Sequence, residues 1–227
     1  MLAPTTLAAA ASRRGLTYWL LARCFDEVPQ RALLEELLAA IGAAEVETPL
    51  GEDTSALTEA LRALLDGEGW EENLAVEFTR LFGGISESYG IPPPYESVAR
   101  EGRWGGETVP DLLAAYTEAD IEPPLQEGEP SDHLSAELRF LAIACYRESE
   151  AWQGGFTKAA EVLLGHEQVF LDRHLLQWVG DYCALALEQA QTPFYRALLV
   201  ATPRACMLDR EDIAAILEET ANDQIYA

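Results

Sequence analysis

Three histidines, four cysteines and a single lysine are the residues of this 227-residue chain on which hydrolytic, redox, metal or phosphate chemistry could be built. Lys158 stands in no Gly-x-x-x-x-Gly-Lys-Ser/Thr loop, so no cradle of backbone amides for a phosphate accompanies it. Gly-x-Gly-x-x-Gly and Gly-x-Ser-x-Gly are both absent. Cys24, Cys145, Cys183 and Cys206 fall at wide, irregular spacings with no Cys-x-x-Cys pair, which argues for buried free thiols over a zinc site, a redox pair or a disulfide framework.

The histidines could join carboxylates around a metal, but their spacing is wrong for the common helical sites. A di-iron bundle needs Glu-x-x-His, and Pro130, Leu163 and Leu171 stand three residues before His133, His166 and His174. His-Glu-x-x-His fails too, because Phe170 follows His166-Glu167 where the second histidine would be. The polar pair that stands out is Asp132-His133 at a helix start. It serves either as an N-cap with a neighbouring imidazole or as a ligand-facing pair with one charged and one switchable group.

The elements that must position these residues are helical. Apolar residues recur at helical spacing almost throughout, without a run of alternating or β-branched residues long enough for a strand. The expected class is all-α, one bundle-like domain over 1–227 with about nine or ten helices. A first helix is expected from Thr5 or Thr6 to Phe25. A second has Pro29 at its first position and Gly42 as its stop, a third is capped by Thr54 or Ser55 and ends near Asp66-Gly67, and a fourth runs from Trp70 to Phe82. From Gly83 to Gly106 the pattern breaks into a long Gly-, Pro- and Ser-rich loop carrying Tyr89, Tyr95 and Trp104; a loop of that length inside a compact domain is usually functional.

Helix resumes from Val109 to Ala119, and a second Pro-rich connection, Glu122 to Pro130, marks a hinge at about 120–131. Asp132 is expected to cap the next helix, which ends near Trp152. Later helices follow over 157–172, 174–189, 193–201 and 209–219.

A formal charge of −24 sets nucleic acid aside, because phosphate binding needs clustered Lys and Arg. The acidity suits either a solvated helical surface or attraction to a basic peptide. Ser12-Arg13-Arg14-Gly15-Leu16 imitates a twin-arginine export signal, yet Arg23 ends the apolar run after seven residues and no cleavage site follows. No uncharged apolar stretch of 18 residues occurs, so no stable membrane insertion is expected.

Three stretches in order resemble a known family. Leu81-Phe82-Gly83-Gly84 followed by Pro93-Pro94-Tyr95-Glu96-Ser97-Val98 looks like the central signature of the TorD/DmsD/NarJ-type chaperones of molybdenum enzymes. Pro130-Ser131-Asp132-His133-Leu134, with the helix of Glu137 to Ala142, is similar to the second, and Phe170-Leu171-x-x-His174-Leu175-x-x-Trp178 resembles the third. The resemblance spans about residues 74 to 200.

What the resemblance implies is a cytoplasmic chaperone and not an enzyme. It would bind the N-terminal leader or the apo form of a dimethyl sulfoxide reductase superfamily catalytic subunit until cofactor is inserted. No tightly bound cofactor is implied, only a transient contact with molybdopterin guanine dinucleotide or a guanine nucleotide, and the protein would be a monomer or a domain-swapped dimer. Matched onto the signatures, Tyr95, Glu96, Ser97, Asp132 and His133 are the expected client-binding residues, with Glu96 and Asp132 meeting the leader's arginines. Two readings from other classes are a helical metal-dependent hydrolase using His133, His166 and His174, and an adaptor that binds a folded partner.

Overall fold

In a computed structural model, residues 3–44, 51–83, 91–122 and 130–226 are described, and the fold is all-α. Among the described residues there are ten α-helices: α1 Pro4–Asp26, α2 Arg31–Ala44, α3 Gly51–Asp66, α4 Trp70–Phe82, α5 Glu96–Glu101, α6 Thr108–Glu118, α7 Leu134–Gln153, α8 Thr157–Arg173, α9 Val179–Gln189 and α10 Pro193–Tyr226. A 3-10 turn, Leu175–Gln177, joins α8 to α9. Among the described residues there is no strand, only one isolated antiparallel bridge between Tyr95 and His133.

The centre of the bundle is α7. Fifteen of its twenty residues are buried, far more than the single apolar stripe of a surface helix, so α7 is surrounded on most sides. Its main neighbour is α1, and Gly15 explains how close the two come: a Cβ there would lie 3.2 Å from the Ala142 carbonyl oxygen and from the Cys145 Cβ. Phe25, Phe78 and Phe82 meet edge to face with centroids 5.2–5.3 Å apart, and Tyr195 of α10 adds a third contact at 5.6 Å, tying α1, α4 and α10 together. All four cysteines are free and buried.

Several helix ends differ from the sequence pattern. α2 starts two residues after Pro29, with Gln30 O accepting from Leu34 N, and runs through Gly42 to Ala44. α3 begins at Gly51, ahead of Thr54 and Ser55. His174 precedes the 3-10 turn instead of opening α9. The break expected between 201 and 209 is missing: α10 is continuous through Pro203. Proline removes one backbone bond there, but Leu198, Cys206 and Ile213 are all buried on one face, and that burial outweighs the local defect.

The long loop expected from Gly83 to Gly106 is interrupted by α5, so its second half is ordered structure. Residues 84–90 of that loop, with Tyr89, and residues 123–129 of the proposed hinge lie outside the described residues. No helix among the described residues is long and apolar enough to cross a membrane.

Candidate functional site

The first two signature segments meet side by side. Three consecutive prolines, Pro92 to Pro94, hold the chain extended as it approaches α5. The extended segment pairs with residues 132–134: Glu96 N donates to Asp132 O at 2.9 Å, and Leu134 N donates to Pro94 O at 2.9 Å. Each segment thereby satisfies backbone groups that the other would bury.

Side chains complete the seam. The Asp132 carboxylate accepts from Ser97 N at 3.0 Å and from the Ser97 hydroxyl at 2.6 Å. Ser97 is in the first turn of α5, where helix amides lack partners, so Asp132 caps α5 from 35 residues away. The cap on α7 is instead His133, whose Nδ1 accepts from Ser135 N at 3.2 Å. This shifts the expected Asp132 cap by one residue and one helix: the extended pairing turns the Asp132 side chain toward α5.

Gly102 closes α5 in the left-handed region, φ 70°, which lets the chain turn directly into the start of α6. Glu101 accepts there from Glu107 N at 3.0 Å and Thr108 N at 2.8 Å, and these backbone donors hold its carboxyl down at about 2.

Glu96 has no exposed surface. Its Oε1 accepts from Arg100 at 2.5 Å, and His174 Nδ1 lies 3.2 and 3.3 Å from its two oxygens. Beside it, Glu137 accepts from Trp178 Nε1 at 3.3 Å, while its Oε1 has no partner among the described residues. Burial, followed by the neighbouring Glu96, pushes the Glu137 carboxyl well above the usual range. The third signature thus joins the other two through His174 and Trp178.

Tyr95 is the half-buried outer member. Its ring lies 4.9 Å from the His133 ring and 4.3 Å from the Trp104 ring, and Trp104 is 57% exposed. All five sequence-derived residues are therefore brought together, but with different aspects. Glu96, Ser97 and Asp132 are buried and engaged, and Arg100 and His174 already occupy the Glu96 carboxylate. Arg100 was legible in principle as the i+4 partner of Glu96, had α5 been recognised.

Catalytic arrangements are poorly served here. The His133 Nδ1–Ser135 Oγ contact of 2.6 Å resembles a base and nucleophile, but Ser135 is fully buried and the same nitrogen serves as the α7 cap. Burial drives the His133 pKa down to about 4, which leaves the ring neutral at neutral pH. Among the described residues, none of the histidines belongs to a group suited to a metal. Among the described residues the one such group is Cys145, Glu148 and Glu167, and Arg14 already bonds both of its carboxylates.

That arginine is the hub of a second buried network. Arg14 pairs with Glu148 at 2.7 Å, with Glu167 and with Asp209. Tyr18 donates to Asp209 and Trp152 to Glu148, each at 2.6 Å. The twin-arginine look-alike therefore supplies, in Arg14, a tie from α1 to α7, α8 and α10.

Comparison with known proteins agrees with this architecture. A family profile described as nitrate reductase delta subunit matches residues 43–184. The Chaperone protein TorD of Vibrio vulnificus (strain YJ016) is 25% identical over 205 residues, covering 88% of this chain and 94% of the relative. The Chlorate reductase assembly chaperone protein of Ideonella dechloratans is 33% identical over 133 residues, 58% of this chain and 66% of its own length. The Selenate reductase assembly chaperone protein of Thauera selenatis is 32% identical over 130 residues, 56% and 64% respectively. With its three signatures locked into one seam and more than half its length matched by the profile, the chain belongs to the nitrate reductase delta subunit family, the TorD/NarJ-type maturation chaperones.

Proposed function

We propose that this protein is a cytoplasmic chaperone that holds the N-terminal leader or the apo form of a molybdenum reductase catalytic subunit while cofactor is inserted. The observation that carries the reading is its kinship to proteins named as assembly chaperones of chlorate and selenate reductase and as TorD. The seam supports it in kind. Apart from the Glu137 Oε1, its carboxylates and imidazole are engaged by helix amides and neighbouring side chains, an arrangement that fixes the shape of a binding wall and presents no activated nucleophile to solvent.

In this reading Tyr95, with Trp104, supplies aromatic surface to the client, and Glu96, Ser97, Asp132 and His133 position that surface. Apolar contact then sets most of the affinity. Burying about 400 Å² of apolar leader offers about 10 kcal/mol gross at about 25 cal/mol/Å², against about 2–5 kcal/mol for ordering a flexible segment. The remainder, about 5–8 kcal/mol before translational freedom is lost, falls short of the about 8 kcal/mol of low-micromolar binding, so polar contacts or a larger buried area must supply the rest.

Isothermal titration of the purified protein with N-terminal peptides of the host's molybdenum reductases, beside capture of the intact apo-subunit, tests the proposal. Micromolar binding of one peptide is the expected result. Failure of both peptide and apo-subunit to bind would overturn it. Tyr95→Ala separates surface from scaffold: unchanged melting with at least tenfold weaker binding marks a client contact.

A further inference from the structure

α10 changes character at Pro203. Before the proline, seven of the ten residues 193–202 are buried; after it, only four of the seventeen residues 204–220 are, so the outer part is far more lightly held. The junction is also where the helix is weakest along its own backbone. Pro203 has no N–H to give the Leu199 carbonyl. One residue earlier, the Thr202 hydroxyl donates to the Leu198 carbonyl at 2.8 Å, a back-bond of the kind that bends helices. Proline and such inserted side chains are the usual places at which a long helix divides into two rigid pieces.

The outer part lies against α8 and α1. Cys206 and Ile213, both without exposed surface, seat it, and the Asp209 carboxylate clips it down. Asp209 accepts from Arg14 and, at 2.6 Å, from the Tyr18 hydroxyl. Arg210 adds a fork to Asp172 of α8 at 2.8 and 2.9 Å, but that pair is exposed on both sides and holds little.

The way the Arg14 knot is stocked makes the clip releasable. Three carboxyl groups surround one guanidinium, and Asp209 is the one carried by α10. When Asp209 departs it enters water, while Arg14 keeps Glu148 and Glu167. No buried cation is stranded by the movement, which is the usual large cost of breaking such a cluster.

We propose that the part of α10 beyond Pro203 is a hinged strap: it swings about Pro203, releases Asp209 from Arg14 and bares the α1–α8 face while the rest of the bundle stays folded. The strap rests on the geometry of α10 and is independent of the chaperone reading. Cys206 is its built-in reporter, buried while the strap is down and reached by solvent when it lifts. Cys24, equally buried and outside the strap, is the internal control.

The test is native-state amide exchange of the full-length protein, beside maleimide labelling located by mass spectrometry. Amides of residues 205–213 are expected to exchange about tenfold faster, or more, than those of 194–201, and Cys206 to label about tenfold faster than Cys24. Asp209→Asn, which removes the charge from the clip, is expected to speed both strap readouts about fivefold and leave 194–201 and Cys24 unchanged. Pro203→Ala returns a donor to the Leu199 carbonyl and is expected to slow both about threefold.

Equal exchange on the two sides of Pro203, with Cys206 and Cys24 labelled together, would overturn the strap, because α10 then moves only when the whole protein unfolds. Asp209→Asn that speeds both sides alike would overturn the clip. Should that variant melt too early to be read, Pro203→Ala still decides, since it acts in the stabilising direction; unchanged strap exchange in it would overturn the hinge.

Discussion

Two buried polar networks in this molecule use charge in opposite ways. Around Arg14, one cation draws Glu148, Glu167 and Asp209 from three helices into a closed knot, with Tyr18, Cys145 and Trp152 packed about it. Around Glu96 and Asp132, carboxylates are satisfied by helix amides, a hydroxyl and an imidazole, and the one arginine stands at the edge of a groove. A knot of the first kind fastens helices together and has no opening. A seam of the second kind fixes two segments against each other while leaving their outer faces available. The knot ties the α1–α7–α8–α10 junction, and the proposed client surface of Tyr95 and Trp104 lies beside the seam.

The largest expected effect breaks the knot. Arg14→Ala leaves three buried carboxylates without a cation and should cost about 3–5 kcal/mol, read as a lowered urea midpoint. Arg100→Ala leaves the fully buried Glu96 with His174 as its remaining side-chain partner, but the lost cation is one-third exposed and only one carboxylate is affected, so it should cost less, about 1–3 kcal/mol. Equal losses at the two positions would erase the contrast.

Next comes pH, which should act on the two networks in opposite directions. Burial, only partly offset by Arg14, raises Glu167 to about 8 from 4.5. Below pH 4.5 the group is protonated folded or unfolded, and its stability contribution is fully present; as pH rises from 4.5 to 8 the unfolded chain gains the charge first, and that contribution is lost. His133 runs the other way. Its folded value is about 4 against 6.5, so its contribution is present above pH 6.5 and lost as pH falls toward 4. Urea midpoints from pH 4 to 9 should therefore decline on both flanks, each group setting a limiting slope of about 1.4 kcal/mol per pH unit. Glu167→Gln should flatten the alkaline decline and widen the acid one up to pH 6.5, because between 4.5 and 6.5 the two slopes otherwise offset each other.

A smaller loss is expected at the seam. Asp132→Ala frees Ser97 N and its hydroxyl inside the protein and should cost about 1–3 kcal/mol by denaturant titration, with loss of the paired segments' rigidity visible as faster amide exchange at Glu96 and Leu134. Smallest of all is Arg210→Ala at the surface. Its pair with Asp172 is exposed on both sides, and the melting temperature should barely move.

Much of this architecture was legible before any coordinates. The helical class, α1, α4 and α7 to within a few residues, and the burial of all four thiols follow from periodicity and the absence of turn residues inside each segment. Where the reading slipped, tertiary burial had overruled a local signal. Pro203 ought to end a helix, but the buried face of α10 carries it through. Glycine and proline around α5 suggested loop, and six residues between them form helix because Asp132 supplies the missing cap from elsewhere.

The candidate site divides in the same way. The family signatures named Tyr95, Glu96, Ser97, Asp132 and His133 as one group, and their order along the chain implied that they belong together. Which of them is buried, which helix Asp132 caps, and that His174 meets Glu96 were not readable from spacing.

By itself, then, the sequence determined the helices, the family and the membership of the site, because helical periodicity and motif order act over a few residues at a time. Only the tertiary structure decided the partners of Arg14, at separations of 134 to 195 residues, and of Asp132, 35 residues from Ser97. A carboxylate's role is set by whichever donor packing brings within about 3 Å of it, and no local pattern along the chain records that distance.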